Sequence, residues 1–298
     1  MNRKIVLPAT LAALVAAGAA AASSGPLLKP YVLASTPTGS MAATVAATES
    51  ALTAHGFTVV GSYSPYPDAT VICATDHELE TQAAHTRHGG FGVVERVAVT
   101  RVQGKLQVSY ANPPYFGAAY GLGALPQTAA ALSAGLGNQL RFGSKGLTAH
   151  HLKPGHYHYA FMMPYFGDVD VLKRYSDHAA AVEAIDHNLA QGVDGVHKVY
   201  RVDSPGTQTT VYGVALTQGQ AGDAHIMHII DVGQYRSTAH LPYELMVQGR
   251  TVLALPAQFR IAIDFPDLTM FGDHGFTHII KAPDAIKKDL RAVAGGHG

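Results

Sequence analysis

Two His-x-x-His pairs are the residues of this chain whose type and spacing point most directly to chemistry. The first pair is His85 and His88 and the second is His225 and His228, so corresponding members lie 140 positions apart (225 − 85). Histidines three positions apart share one face of a helix and can bind one ion, whereas on a strand they point to opposite faces. Because imidazole binds Zn²⁺, Cu²⁺ and haem iron, the pairs predict a metal or haem site at equivalent places in a repeat. The alternative is that they are solvated histidines or lie at the edge of a core.

A second group of candidate ligands lies near the middle of the chain, where four histidines precede two methionines. If residues 157–166 form a strand, His156 and His158 share one face, about 6.6 Å apart. Thioethers favour copper, so His156, His158 and Met163 form a second candidate set of metal ligands. The alternative is a polar connection followed by a core strand in which Met and Phe side chains fill space.

Known catalytic motifs give no specific support to an enzyme. No Gly-x-Ser-x-Gly segment and no phosphate-binding loop is present in the sequence. His77-Glu78 begins like a zinc-protease helix, but Thr81 stands where the second histidine belongs. Glu95 and Glu244 flank apolar segments without the spacing of an acid/base pair. An enzyme that uses histidine as acid or base is therefore kept as an alternative to a binding protein.

Composition argues against a nucleic-acid partner. The chain has 298 residues with 21 basic and 21 acidic side chains, so no basic field is available for phosphates. Charged residues make up only 14% of the chain, against about 25% in typical soluble proteins. The 17 histidines make the net charge sensitive to mildly acidic pH, which suits an exported protein.

The N-terminus has the pattern of an export signal. A short basic region that contains Arg3 and Lys4 precedes an apolar stretch at 5–20, and small residues follow at 20–23. We predict a signal peptide at 1–22, a periplasmic or secreted protein, and no membrane span after cleavage. An uncleaved anchor is the alternative. The single cysteine, Cys73, lies in an apolar segment and is expected to be buried.

The sequence contains two similar copies of the segments that are expected to form the strands and helices around these residues. Residues 93–121 and 241–270 each contain an apolar segment, a Val-Gln-Gly turn and a second apolar segment, which is typical of a β-hairpin. Before each hairpin, the pattern indicates a helix, two strands and a region that carries a His-x-x-His pair. The order predicts an α+β fold with two tandem similar domains, each an antiparallel sheet with helices packed on it, related by a pseudo-twofold. We place a linker at 23–40, the first domain at 41–125, a bridging segment at 126–155 and the second domain at 156–298.

The segment from Val108 to Phe116, VSYANPPYF, followed by Ala119-Tyr120-Gly121, resembles the bacterial and archaeal family known as domain of unknown function 302. The resemblance covers residues 40–125, and the second half is similar to a diverged copy in which Ala257-Gln258 replaces Asn-Pro. The resemblance implies a compact α+β domain that often dimerises, and it implies no established activity. A tandem copy would reproduce such a dimer within one chain.

These observations predict an exported, soluble binding protein. Its ligand would be a transition metal such as Cu or Zn, a non-covalent haem or another small molecule, held by histidines where the two halves meet. One alternative is an enzyme that uses histidine as acid or base at the same interface. Another is a structural or assembly protein whose exposed sheet edges lead to self-association.

Overall fold

The computed structural model describes residues 25–296. The first half of the fold comprises eight strands and five helices: β1 (Leu27–Leu28), β2 (Tyr31–Ser35), α1 (Met41–Ala54), β3 (Thr58–Tyr63), β4 (Ala69–Thr75), α2 (His77–His85), β5 (Glu95–Val102), β6 (Lys105–Ala111), α3 (Pro113–Tyr120), α4 (Pro126–Leu136), β7 (Leu140–Phe142), β8 (Leu147–Thr148) and α5 (Ala149–Leu152). The second half comprises β9 (Asp170–Arg174), α6 (His178–Ala190), β10 (Val196–Ser204), β11 (Thr209–Leu216), α7 (Asp223–Ile230), β12 (Tyr243–Gln248), β13 (Thr251–Ala254), α8 (Ala257–Asp264) and α9 (Ala282–Val293). The predicted signal peptide lies outside the described residues.

Each half contains one large antiparallel sheet with helices packed on it, which confirms the predicted α+β class, and β1 and β8 form a separate two-stranded sheet in the first half. The first sheet has the strand order β3-β4-β5-β6-β2-β7, and the second has the order β10-β11-β12-β13-β9. From β2 to α3 the chain runs strand, helix, strand, strand, helix, strand, strand, helix, and it repeats this order from β9 to α8. Strand order is therefore the same in the two sheets apart from β7, which extends the first. None of the helices within 25–296 is long and apolar enough to cross a membrane.

Local signals explain most of the elements that the sequence predicts. The Asp76 carboxylate accepts a hydrogen bond from the Leu79 amide at 2.8 Å, and Asp177 caps α6 in the same way through Ala180. In the first hairpin, Gln103 and Gly104 have φ values of 49° and 79°, the left-handed conformation of a tight hairpin turn. These short-range features fix where the helices begin and where the strands reverse.

The expected strand at 157–166 does not form, and the strand in this part of the second sheet is β9. Pro164 lacks the amide hydrogen that a ladder requires, and Met162 has a φ of 70°, which is incompatible with a strand. The segment is instead an irregular connection. The prediction that His156 and His158 share a strand face is therefore wrong.

Two other expectations differ from the structure. Residues 31–35 lie in the segment that we expected to be a linker, but they form β2, which pairs with β6 and β7 inside the first sheet. The second apolar segment of each hairpin is also shorter than expected, since helices α3 and α8 follow it. Pro113 favours the start of α3 because a proline in the first helical turn loses no hydrogen bond.

The two halves meet through their edge strands β3 and β10. A methyl group added at Gly61 would lie 2.2 Å from the carbonyl oxygen of Val199, so the backbones are in close contact there. At the neighbouring position, the ring of Tyr200 covers Gly213 so closely that a side chain on Gly213 would overlap it. Glycine at 61 therefore allows the two edge strands to approach, and glycine at 213 makes room within the second sheet for the Tyr200 ring. One hydrophobic core cluster contains residues of both halves, and α1 and α4 cover a second cluster on the outer face of the first sheet.

Each half also extends a connecting segment across the sheet of the other half. The segment between α2 and β5 places Gly90 against Val211 and Met246 of the second sheet. In return, the segment between α7 and β12 packs on the first sheet, where the Thr100 hydroxyl donates to Thr238 Oγ1 at 2.9 Å. This exchange creates the seam, the surface where the two halves meet.

Candidate functional site

A polar cavity opens on the seam where the first sheet meets the end of α7. Its volume is about 210 Å³. The first half contributes Tyr66, Pro67, Asp68, Thr100 and Arg101, and the second half contributes Met227, His228, Asp231, Val232 and Arg236. We call it the seam cavity. Because its walls come from both halves, it exists only when the two sheets are docked.

The carboxyl group of Asp231 is the most unusual feature of the seam cavity. Asp231 is 7% exposed and follows directly after α7. Its Oδ1 accepts a hydrogen bond from the Ser237 amide at 2.9 Å, but Oδ2 makes no hydrogen bond within residues 25–296. Burial raises the pKa of Asp231 to about 7. The hydrogen bond from Ser237 and the charge of Arg236 lower this pKa, but their effects are smaller. A buried carboxyl oxygen without a partner is costly, so this group is expected to interact with something that enters the cavity.

An aromatic pair and a chain of hydroxyl groups form the wall beside Asp231. The rings of Tyr66 and His228 lie 5.2 Å apart, with an angle of 51° between their planes. The Tyr66 hydroxyl shares a hydrogen bond of 2.9 Å with Thr238 Oγ1, which also accepts from Thr100. Tyr66 is therefore held in place by residues of both halves, and its ring remains available at the cavity.

Two arginines bring positive charge to the cavity. Arg101 forms an ion pair with Asp68, with 3.2 Å between Nε and Oδ1. Arg236 donates from its guanidinium to the backbone carbonyl of Asp231, and within the described part of the chain it forms no ion pair with a carboxylate. With Asp231 ionised, the two carboxylates of the cavity balance its two guanidinium groups. The arrangement suits a ligand that brings a hydrogen-bond donor to Asp231 and an acceptor to Arg236.

The helix that ends at this cavity carries further buried polar atoms without partners. Asp223 Oδ1 and His225 Nε2 make no hydrogen bond within the described residues, as is also true of Asp231 Oδ2. The second oxygen of Asp223 accepts from the Tyr63 hydroxyl at 2.9 Å, across the seam. Burial raises the pKa of Asp223 to about 7, although the bond from Tyr63 opposes the shift. Three of the seven buried side-chain atoms without a partner within residues 25–296 therefore lie on α7 or directly after it.

The comparisons with known proteins give no relative. No protein-family model, curated protein or solved structure matches this chain. The family resemblance of the first half therefore stays a prediction, and the candidate site rests on geometry alone.

The structure does not place the two His-x-x-His pairs at equivalent positions. Helices α2 and α7 begin 146 residues apart, whereas the histidines are 140 apart, so His85 ends its helix and His225 lies near the start of its own. His85 is exposed, with Nδ1 at 2.7 Å from the Thr81 carbonyl oxygen. His88 is buried after the end of α2, with a φ of 58°. The expected equivalence of the pairs is therefore wrong, while His225 and His228 do share one helix.

The second predicted cluster is divided between different surroundings. The ring of His156 lies 4.7 Å from that of His150, whereas His158 has Nδ1 at 2.6 Å from the Ala160 carbonyl oxygen. Met163 lines a separate apolar cavity. Within residues 25–296, no three His, Cys, Asp or Glu side chains form a group that could hold a metal ion.

A cluster of buried charges at the seam was not found by sequence reasoning. Arg260 of α8 bonds to Asp264 one turn later, and its Nε lies 3.2 Å from Glu244 Oε2. Arg96 of the first half approaches the same carboxylates at 3.6 and 3.8 Å. Burial by itself would raise the pKa of Asp264, but Arg260, His240 and Arg96 hold it well below its usual range. All of these side chains are nearly inaccessible, so we interpret the cluster as an internal connection between the halves.

Of the seven histidines and methionines that we predicted as ligands, His228 alone contributes to the seam cavity. The more important neighbours, Asp231 and Tyr66, were missed. The spacing from His228 to Asp231 is three residues, which places them on one side of a helix and was available as a signal. The burial of Asp231 depends on contacts with the other half and has no signal in the local sequence.

Proposed function

We propose that this chain is an exported binding protein that holds a small zwitterionic molecule in the seam cavity. The observation that carries the proposal is Asp231, which lines a cavity formed by both halves and whose Oδ2 is a buried carboxyl oxygen without a hydrogen bond in the described structure. An ammonium group that donates to this oxygen would satisfy it. Export depends on the predicted signal peptide.

The surroundings of Asp231 favour a ligand that carries both signs of charge. A cation would meet the carboxylate and also the face of the Tyr66 ring, an arrangement that attracts ammonium groups. The anionic group of the same molecule would accept hydrogen bonds from Arg236, which has no carboxylate partner within 25–296. A free amine leaves Arg236 unused, and a free carboxylate leaves Asp231 unsatisfied. An amino-acid-like molecule satisfies both.

The geometry of the seam further supports a pseudo-twofold relation between the halves, which we include in the proposal. Both sheets have the same strand order, and both edge strands carry a register irregularity at corresponding places, at Val60 and at Val199. Gly61 and Tyr200 follow these positions and lie against each other. Contact between corresponding residues is characteristic of a twofold interface. The chain would thus contain an internal dimer.

Thermal unfolding with a defined set of probes tests the proposal. The probes are the free α-amino acids, with matching amines and carboxylic acids as controls. We expect at least one amino acid to raise the melting temperature, whereas its amine and acid analogues do not. Asp231→Asn should abolish the effect, and Asp273→Asn, at an exposed position, should leave it unchanged. If no zwitterion stabilises the wild-type protein, the proposal is wrong.

The same assay tests the other predictions made from the sequence. Zn²⁺, Cu²⁺ and haem are added one at a time, and His225→Ala with His228→Ala is compared with His85→Ala. Stabilisation that the α7 variants lose would support a metal or haem site on α7. Oligomers that grow with concentration and ignore every probe would favour an assembly protein.

A second candidate function is proton transfer at the same carboxyl group. Asp231 has a pKa of about 7 and lies beside His228, and a pKa near the working pH suits a general acid or base. The stabilising amino acid can be incubated with the protein in D₂O and followed by NMR. Exchange of its α-proton that Asp231→Asn abolishes would support an enzyme, and its absence would leave binding alone.

A further inference from the structure

A second, apolar cavity lies on the side of α8 away from the charge cluster. Its volume is about 330 Å³, and it is enclosed by the segment 159–163, by α8 and by the loop that follows α8. The helix contributes Gln258, Ile261 and Ala262, whose spacing places them on one face, and Phe265 directly follows its last residue. This cavity shares no lining residue with the seam cavity.

The walls of this cavity are suited to hydrocarbon. The remaining lining is aliphatic or aromatic, including Met163 and Leu268, and the hydroxyl of Tyr159 is already bonded to the Leu268 carbonyl oxygen at 2.7 Å. Gln258 is half-buried and offers the one remaining polar side chain. A cavity of about 150 Å³ with such walls is large enough to bind benzene, so this one has room for a longer apolar group. The flexible methionine and leucine side chains allow the walls to adapt to an aliphatic chain.

The rim of the cavity exposes large apolar side chains. Phe161 is 90% exposed, Met162 is 87% exposed and Phe271 is 76% exposed. Single exposed apolar residues are ordinary, but these three stand beside the lining residues Met163 and Met270. A group of this kind around an apolar cavity marks a surface that contacts an apolar partner.

We propose that the apolar cavity binds the single hydrocarbon chain of an amphiphile. The chain lies between α8 and the segment 159–163, its polar head stays near Gln258 at the opening, and the aromatic rim covers the first part of the chain. The amphiphile is either a free fatty acid or a lipid within a bilayer. This inference is independent of the proposed function, because it uses different residues and a different ligand chemistry.

Displacement of a fluorescent fatty acid tests the proposal. The chain contains no tryptophan, so an undecanoic acid with a dansyl group can be followed without protein background, and dodecanoate is the competitor. We expect dodecanoate to displace the probe. Ala262→Phe, which fills the cavity, should weaken binding by about tenfold or more. Ala130→Phe adds the same ring at an exposed position of α4 and should have no effect.

A second variant keeps the proposal testable if Ala262→Phe does not fold. Phe161→Ser changes a side chain that is almost fully exposed, so the fold should survive, and the affinity for dodecanoate should fall. Asp231→Asn should bind the probe like wild type, whatever the outcome at the seam cavity. Wild type that binds neither dodecanoate nor vesicles, or Ala262→Phe that folds and binds as well as wild type, would overturn the proposal.

Sedimentation with phosphatidylcholine vesicles distinguishes the two sources of the hydrocarbon chain. If wild type sediments with vesicles and Phe161→Ser does not, the bound hydrocarbon chain belongs to a bilayer lipid. Wild type that binds dodecanoate and stays in the supernatant assigns it to a free amphiphile. Binding to neither contradicts the proposal.

Discussion

The hydroxyl of Tyr31 donates a hydrogen bond to Asp264 across the seam, with 2.8 Å between the oxygens. Tyr31 lies on β2 of the first sheet, and Asp264 is the last residue of α8 in the second half. The same carboxylate binds Arg260 and lies 3.8 Å from Arg96 of the first half. One fully buried carboxylate therefore connects residues from both halves, and the ionic cluster is part of what holds the seam closed.

Replacing Asp264 by asparagine should destabilise the protein strongly. The change keeps the shape but leaves two buried guanidinium groups with Glu244 as the one carboxylate near them, which costs about 3–5 kcal/mol. Tyr31→Phe removes one donor to the ionised carboxylate and should cost about 1.5–3 kcal/mol. Urea unfolding measures both. Asp186→Asn, at a partly exposed pair with Arg201, is the control and should cost about 1 kcal/mol or less. An Asp264→Asn protein as stable as this control would show that the cluster does not hold the seam.

Stability should fall as pH rises from about 4 to about 8. Burial raises the pKa of Asp223 and Asp231 to about 7 and that of Glu95 to about 8. The folded state binds these protons more tightly than the unfolded state, so the stabilisation is complete below about pH 4 and is lost as the folded carboxyls ionise. For Asp231 alone, a rise from 3.8 to about 7 corresponds to about 4 kcal/mol.

The Asp231→Asn variant isolates this contribution, because its amide does not titrate. Relative to the variant, wild type should lose stability between about pH 4 and pH 7 in urea unfolding. Parallel pH profiles would mean that Asp231 is not buried as the structure has it.

His240 should make a contribution of opposite sign. Burial lowers its pKa to about 4, although Asp264 opposes the shift. The neutral ring stabilises the fold fully above its unfolded pKa of about 6.5, and this stabilisation is lost as pH falls through the folded pKa near 4. Asp264, Arg260 and Arg96 face the ring, and Asp264 retains its charge over this range because its pKa is lowered. The difference in unfolding free energy between wild type and His240→Gln should shrink from pH 7 to pH 4. A constant difference would contradict the assignment.

The close contact of the two edge strands gives a prediction that depends on packing alone and not on any charged group. Gly61→Ala would place a methyl group 2.2 Å from the Val199 carbonyl oxygen and force β3 and β10 apart. Overpacking of this kind costs about 1–3 kcal/mol, and the melting temperature should fall accordingly. Gly167→Ala is the matched control, since no heavy atom lies within 4 Å of the added methyl group. Equal melting temperatures for the two variants would argue against the contact.

Short-range signals allowed much of the fold to be predicted from the sequence. The helix at 178–190 has its cap at Asp177, and the turn at Gly104 sets the first hairpin, so both follow from a few neighbouring residues. Helix α8 was missed because buried residues occur on all of its faces, which hides the helical period. Residues 157–166 were mistaken for a strand because their apolar side chains serve other sites: Tyr159, Phe161 and Met163 line the apolar cavity, and Tyr157 and Phe166 lie in the core.

The candidate site was harder to predict, because its properties arise between distant segments. His228 was selected from the sequence because histidine is a common ligand. Asp231 was not selected, because its burial arises only from contacts with the other half of the protein. Its raised pKa depends on burial, and it shares the cavity with Tyr66, which lies 165 positions earlier (231 − 66). The duplication predicted that a seam exists, and the exchange of connecting segments determined which residues line it.

Isothermal titration of the stabilising amino acid at pH 6, in buffers of different ionisation enthalpy, tests the central claim most directly. Asp231 is largely protonated at this pH in the free protein, and an ammonium group bound to Oδ2 requires the ionised form. We predict that wild type releases close to one proton on binding, with the number falling towards zero above pH 8, and that Asp231→Asn releases none. Binding without proton release, or with the same release in the variant, would contradict the claim that Asp231 holds the ligand.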